Sequence, residues 1–302
     1  LEKRDLGRFY DKRSLEIPPP PLFQPTVGAL SKGVTNAFMK SILLVIAALI
    51  LFFFFIRFIE KKSLYYPLKK IEAAPRDIGL DYEEVYISAK DGVRIAGWYL
   101  PSKSPRATFI FSHGNGGNIS HRLEKIKMLN DLDVNVLIFD YRGYGMSNGS
   151  PSEEGLYLDA EAVYDYLVHE KKVPPRKIIG YGESLGASVI IDLAGRHELG
   201  GIIVEGGFPS IRDMAKEYFP FIPSFVYKTS YNSLEKIGRI KAPKLHFHSV
   251  DDEVVPYELG RKLFDRAPGP KEFVDLQGGH NDSFLISRDV FVEKIDSFIG
   301  RL

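Results

Sequence analysis

The sequence predicts an α/β fold, a mostly parallel sheet of about eight strands with helices on both faces, preceded by one transmembrane helix. Three observations predict it. From residue 82 onward, short apolar runs alternate with helical patterns, the order in which parallel strands are joined by helical crossovers. Residues 41–59 read SILLVIAALILFFFFIRFI, with Arg57 as the single charge. At ~1.5 Å per residue such a helix nearly spans a ~30 Å hydrocarbon layer. Residues 177–188 read KIIGYGESLGAS, a short apolar strand, a turn between two glycines and the first turn of a helix.

A chain of 302 residues is long enough for one large open-sheet domain with a sizeable core. Its 40 basic and 39 acidic residues nearly cancel, which removes the electrostatic footprint of a nucleic-acid binder. The absence of cysteine excludes disulfides, thiolate metal sites and a cysteine nucleophile. No metal or other cofactor is expected.

Residues 1–38 are polar and turn-rich, with Pro18 to Pro21 in a row; a polyproline segment joins neither a sheet nor a helix interior, so this arm is expected to be poorly ordered. Met39-Lys40 immediately precedes the apolar run, so Met39 is expected to be the native start. Residues 39–60 then form the membrane anchor, with 41–59 as the bilayer contact. Lys61-Lys62-Ser63-Leu64-Tyr65-Tyr66 offers no small-residue cleavage site, which argues against a cleaved signal peptide. Arg57 can extend to the interface, and Tyr65 and Tyr66 suit it. Lys61, Lys62, Lys69 and Lys70 follow the helix, outnumbering Lys32 and Lys40 before it, so positive-inside counting favours a cytoplasmic catalytic domain. Residues 61–81 read as a linker and 82–302 as the catalytic domain, with a short cap at about 208–237.

Within that domain, 84–88 and 94–100 bracket Asp91-Gly92, a hairpin turn signal. Further strands are expected at 108–112, 134–139, 177–181, 201–204, 244–248 and 272–275. Helices are expected at 119–130, 153–170, 185–197, 257–266 and 288–299. Sheets of this kind bind ligands at the carboxyl ends of their strands.

Gly182-Glu183-Ser184-Leu185-Gly186 falls at such an end. A strand that reverses sharply into a helix holds the apical residue in a strained conformation, and side chains at the flanking glycines would collide with the neighbouring strand or helix. Ser184 is therefore raised above the sheet edge as a nucleophile, and the Leu185 amide, at a helix N-terminus, can bind a developing oxyanion. A serine hydroxyl needs a base, and the base needs an orienting carboxylate. Of the seven histidines, His280 alone lies downstream of a plausible acid that itself follows the serine, and it stands in the glycine-rich stretch 277–282 after the last strand. The acid lies in Asp251-Asp252-Glu253, where a strand ends and Pro256 opens the next helix. A hard-metal reading of these acids lacks further oxygen ligands in a recognisable spacing. A second oxyanion donor is expected from the glycine-rich loop 113–118 after the third strand, with the Asn115 main-chain N–H as the candidate. Asp140 and Arg142 read as braces rather than reactants.

Taken together HGNGGN, FDYRGYGMSNG, GYGESLG, DDEVVP and GGHND resemble the α/β-hydrolase superfamily, and within it the membrane-anchored abhydrolase-domain or serine-aminopeptidase-like subgroup. The resemblance covers about residue 82 to the C-terminus. It implies Ser184 as nucleophile, His280 as base, Leu185 with Asn115 at the oxyanion hole and, from the register D-x-x-V-P, Asp252 rather than Asp251 as the acid. It does not choose among esters, thioesters, amides and lipids. The large lid of many lipases is missing. In its place, residues 208–231 carry Phe208, Tyr218, Phe219, Phe221, Phe225, Tyr227 and Tyr231, broken by Pro209, Pro220 and Pro223. These aromatics serve either as core or as the lining of an apolar cleft over Ser184, and Phe208, Tyr218 and Phe221 are the candidates for substrate contact.

The leading expectation is a membrane-anchored serine hydrolase that cleaves acyl esters or thioesters of a small or lipid-like substrate through an acyl-enzyme. A serine peptidase is the alternative, for which Glu183 and Glu205 are candidate ligands of a substrate amino terminus. A membrane-tethered, inactive scaffold is the reading from a different class; it would need a missing triad member, and none is missing.

Overall fold

In the computed structural model, which describes the backbone over residues 27–223 and 226–302, the alternation of side chains along the strands generates the architecture. Along the strand Thr108–Ser112, Phe109 and Phe111 enter one apolar cluster and Ile110 the other, because successive strand residues point to opposite faces. A sheet buried on both sides needs apolar residues on both faces, and this strand is buried throughout with Phe109, Ile110 and Phe111 at its centre.

The eight strands are β1 (Glu83–Ser88), β2 (Arg94–Leu100), β3 (Thr108–Ser112), β4 (Asn135–Phe139), β5 (Ile178–Glu183), β6 (Gly201–Glu205), β7 (Lys244–Ser249) and β8 (Lys271–Leu276). Their spatial order is β8-β7-β6-β5-β3-β4-β2-β1. β1 and β2 form the antiparallel hairpin expected at Asp91-Gly92, β2 pairs antiparallel with β4, and the remaining pairs are parallel. All eight expected strands are present. One face is covered by α3 (Glu153–His169), α4 (Leu185–Arg196) and α6 (Ser233–Ile237), with α7 (Tyr257–Arg266) alongside. The other is covered by α2 (Leu123–Asn130) and α9 (Arg288–Gly300), through residues such as Ile126, Leu129, Phe291 and Ile295. The insertion after β6 contributes α5 (Ile211–Tyr218), and α8 (Ser283–Ile286) precedes α9. The strand order reverses beside β5, where β3 and not β4 is its neighbour, and ligands bind at such a point.

The chain divides into two units, the second running from Phe53 to Leu302. Helix α1 (Val27–Leu64) begins in the segment expected to be an arm; no proline follows Pro25 before its end, so nothing interrupts the ladder. Its stretch Asn36–Leu64 is long and apolar enough to cross a membrane, with Leu44, Leu51 and Phe54 exposed. Residues 1–26 of the arm, and Phe225 in the cap, lie outside the described residues.

The segment 61–81 is strapped onto the domain. Tyr66-Pro67 pairs in parallel with Gly116-Gly117, and Asn118 Nδ2 donates to the carbonyls of Leu68 (3.0 Å) and Lys70 (2.6 Å). Tyr65 is buried rather than interfacial, its hydroxyl 2.9 Å from that of Tyr231. A buried phenol needs a polar partner, and the cap supplies one.

Candidate active site

Ser184 closes β5 and opens α4 with φ 53° and ψ −114°, a left-handed conformation that costs a non-glycine residue ~1–3 kcal/mol. Its flanks show why the strain persists. A Cβ on Gly186 would lie 1.9 Å from the Ser112 carbonyl oxygen, and one on Gly182 would lie 2.5 Å from Ala187 Cα. Backbone cannot give way as a flexible side chain can, so only glycine admits this crossing of β3, β5 and α4. The Ser184 amide donates to the Glu205 carbonyl (2.8 Å), which ties the turn to β6.

The cavity side of the loop after β3 follows from peptide geometry. His113 is fully buried, and burial pushes its imidazole down to about 3, so it is neutral. Its Nδ1–H donates to the Gly114 carbonyl (2.7 Å). In a trans peptide N–H and C=O point oppositely, so the Asn115 N–H faces away from His113. The Asn115 carbonyl accepts from the Tyr66 amide (3.1 Å) and the Tyr144 hydroxyl (2.8 Å). Asn115 and Leu185 both line the cavity over Ser184, and the Leu185 amide is one of the orphan donors of a helix start.

The charge side is built from two loops. Asp252, after β7, accepts from the amides of Val254 (2.9 Å) and Val255 (2.7 Å) with Oδ1 and from His280 Nδ1 (2.7 Å) with Oδ2. Burial raises this carboxyl, but the His280 hydrogen bond and charge, with those two amides, outweigh it and hold it below the ordinary value. Asp251 is exposed to solvent. His280 is fixed by its own amide, which donates to Glu253 Oε2 (2.9 Å), and by the Gly279 amide on Asp282 (2.6 Å). Burial lowers the imidazole, yet the hydrogen bond and charge of Asp252, aided by Glu183 and Glu205, leave it above its ordinary value. Ser184 and His280 line one cavity with Asn115. They are not hydrogen-bonded to each other, as is common before substrate tightens such a site.

Beneath the serine lies a buried ionic group. Lys125 on α2 reaches Glu205 (2.8 and 2.9 Å) and Glu183 (3.3 Å), Arg122 reaches Glu183 (3.2 Å), and the Tyr181 hydroxyl donates to Glu205. Burial raises Glu183, but Arg122 and Lys125 outweigh it and keep it ionised. Arg142 is similarly tied to Asp159 and Asp91, a brace between α3 and the β1–β2 turn. The sequence reasoning missed Arg122 and Lys125. A lysine on an apolar helix face was the available signal.

Above the serine is a cavity of about 450 Å³ whose lining is mostly apolar, including Phe208, Met214, Tyr218, Ile222 and Val254. Phe208 and Tyr218, two of the three candidates for substrate contact, line it. Phe221 does not line it and is 96 % exposed; it follows Pro220, after α5 has ended, and the chain there turns its side chain outward. Tyr218 instead donates its hydroxyl to the Val254 carbonyl (2.7 Å), which holds the cap to the acid loop.

A strained serine between two glycines, at the switch point of a mostly parallel sheet, defines the α/β-hydrolase class. The comparisons agree. A family model described as "Serine aminopeptidase, S33" matches residues 103–232. The uncharacterized protein YfhR of Escherichia coli K12 is 33 % identical over 246 residues, covering 78 % of this chain and 85 % of that protein. The α/β-hydrolase domain-containing protein WAV2 of Arabidopsis thaliana is 30 % identical over 260 residues, covering 77 % and 84 %. The Pyrococcus furiosus esterase Pf2001 superposes with a TM-score of 0.66 at 21 % identity, covering 78 % of this chain and 98 % of the esterase. The chain belongs to the α/β-hydrolase superfamily, and it is a hydrolase.

Proposed function

We propose that the protein is a membrane-anchored serine hydrolase that cleaves acyl ester or thioester bonds. The single observation that carries this reading is a strained Ser184 that borders one cavity with Asn115 and Leu185 and a second with Asn115 and the Asp252-paired His280. In the reaction, Ser184 Oγ attacks the acyl carbonyl carbon as its proton passes to His280 Nε2. The oxyanion is held by the Asn115 and Leu185 N–H groups. Collapse breaks the bond to the leaving alcohol or thiol, which takes the proton from His280. Water then attacks the acyl-enzyme, giving its proton to His280; the acid departs and Ser184 regains its hydrogen. Asp252 holds the imidazole tautomer and stabilises the imidazolium.

The mostly apolar cavity favours an acyl chain over a charged peptide end. Each methylene buried there contributes up to ~0.8 kcal/mol. The family description favours a peptidase, but the acids that could hold an amino terminus are engaged: Glu183 and Glu205 by Lys125, and Glu253 by the His280 amide. The inactive-scaffold reading has no missing group to support it. The apolar stretch of α1 supports attachment to a bilayer, and the lysines after it favour a cytoplasmic catalytic domain. The domain is taken as 82–302 with a cap at about 208–237, behind an anchor at 39–60 and a connecting segment at 61–81.

The test is a substrate series. For p-nitrophenyl esters kcat/KM is expected to rise from acetate to a medium-length acyl chain and to exceed that for aminoacyl p-nitroanilides. A flat or falling series, or faster cleavage of the anilides, contradicts the acyl-ester reading.

A further inference from the structure

The cavity over Ser184 has a wall that does not come from the cap or the sheet. Ile56, Ile59 and Leu64 at the end of α1 line it together with cap residues such as Met214 and Ile222. Positions 56, 59, 60 and 63 fall at three- and four-residue spacings and share one helix face. Ile56, Ile59, Glu60 and Ser63 of that face all border the cavity.

Glu60 says why the face is held there. It is 7 % exposed, at the end of a helix otherwise rich in exposed apolar side chains. A buried carboxylate is costly unless donors meet it, and the donors here belong to the cap. Glu60 accepts from the Thr229 amide (2.7 Å) and the Lys228 amide (3.4 Å), and pairs with Arg57 (2.6 Å). Helix residues that merely attached the domain to a bilayer would need no such link to backbone amides of the cap.

We propose that the last turns of α1 form one wall of the acyl-chain site, latched to the cap by Glu60, so that this helix helps set which acyl chain is accepted. The inference rests on the serine-hydrolase reading and deepens it. The ligand is a single apolar acyl chain whose carbonyl lies at Ser184, against Ile56 and Ile59 on one side and the cap on the other.

The experiment uses the full chain in detergent and reads the ratio of kcat/KM for p-nitrophenyl octanoate to that for the acetate. Ile56→Trp and Ile59→Trp fill the cavity. Each methylene denied its contact costs about fourfold, so the ratio is expected to fall by about tenfold or more. Ile59→Ala enlarges the site and is expected to move the preferred chain to greater length, while Glu60→Ala frees the wall and is expected to lower the ratio. Val290→Trp, exposed on α9 and outside the cavity, is the control, and its ratio is expected to stay within about twofold of the parent's. Labelling of Ser184 by a small fluorophosphonate reports that each variant is folded. If labelled tryptophan variants keep the parental ratio, or Ile59→Ala leaves the preferred chain unchanged, the wall assignment is overturned. If the parent itself is not labelled at Ser184, the serine-hydrolase reading fails instead.

Discussion

His280→Ala and Asp252→Asn are each expected to lower kcat by ~10³-fold or more, because triad members act as a unit. Asp251→Asn is expected to leave kcat nearly unchanged, since Asp251 faces solvent and it is Asp252 that lies 2.7 Å from the imidazole. The pH profile carries the same assignment. The base must be neutral to take the serine proton, so kcat/KM rises with pH through the His280 titration. That group lies above its ordinary value of 6.5, so the acid limb of the parent is expected to have its midpoint above that pH. In Asp252→Asn the hydrogen bond to a negative charge is gone while burial, which lowers the imidazole, remains. The limb of the residual activity is expected to move to lower pH. A limb that stays in place, or a damaging Asp251→Asn, moves the acid away from Asp252.

Lys125→Met is expected to be the most damaging single substitution for stability away from the glycines. Lys125 is 3 % exposed and holds two buried carboxylates, Glu205 and Glu183. Removing one partner of a buried ionic group leaves the others uncompensated and costs ~3–5 kcal/mol. For a domain of this size that corresponds to a Tm loss of roughly 6–20 °C. Trp98, the single tryptophan and fully buried, is a fluorescence probe for the transition. Glu183 adjoins Ser184 and Glu205 accepts its amide through the main chain, so loss of activity on mild heating is expected to parallel the fluorescence change. A loss under about 1 kcal/mol would mean that the group is solvated or repaired by its neighbours.

The positions of the strands were legible because a parallel sheet covered on both faces leaves an apolar run at each strand and a helix between. The site was legible where steric demand fixes residue type. Gly182 and Gly186 are required by backbone approach, and their spacing marks Ser184 between them. His280 was reachable because chain order left one histidine after the acids. The choice of Asp252 over Asp251 rested on the D-x-x-V-P register of the resemblance and not on physics, since neighbouring loop carboxylates differ only in which way the chain turns; here two amides, Val254 and Val255, meet Oδ1 of Asp252.

Contacts between distant segments were hidden. Nothing local in Glu60 says that its partners are the amides of Lys228 and Thr229, and nothing in Tyr66-Pro67 says that it pairs with Gly116-Gly117 beside Asn115. Lys125 stands on an apolar helix face, but nothing local names its partners, Glu183 and Glu205, which β5 and β6 bring to it. Phe221 carried the same aromatic signal as Phe208, yet it stands beyond the end of α5 and is exposed. Aromatic content alone does not separate lining from surface.

The central claim, that Ser184 is an activated nucleophile beside an oxyanion hole, is tested most directly by covalent labelling. The full chain in detergent is treated with a fluorophosphonate, and the modified residue is located by tandem mass spectrometry. The expected result is one adduct on Ser184, formed at a rate that falls sharply in His280→Ala, and no adduct in Ser184→Ala. Labelling that persists in Ser184→Ala, or an adduct on another serine of the parent, would contradict the account.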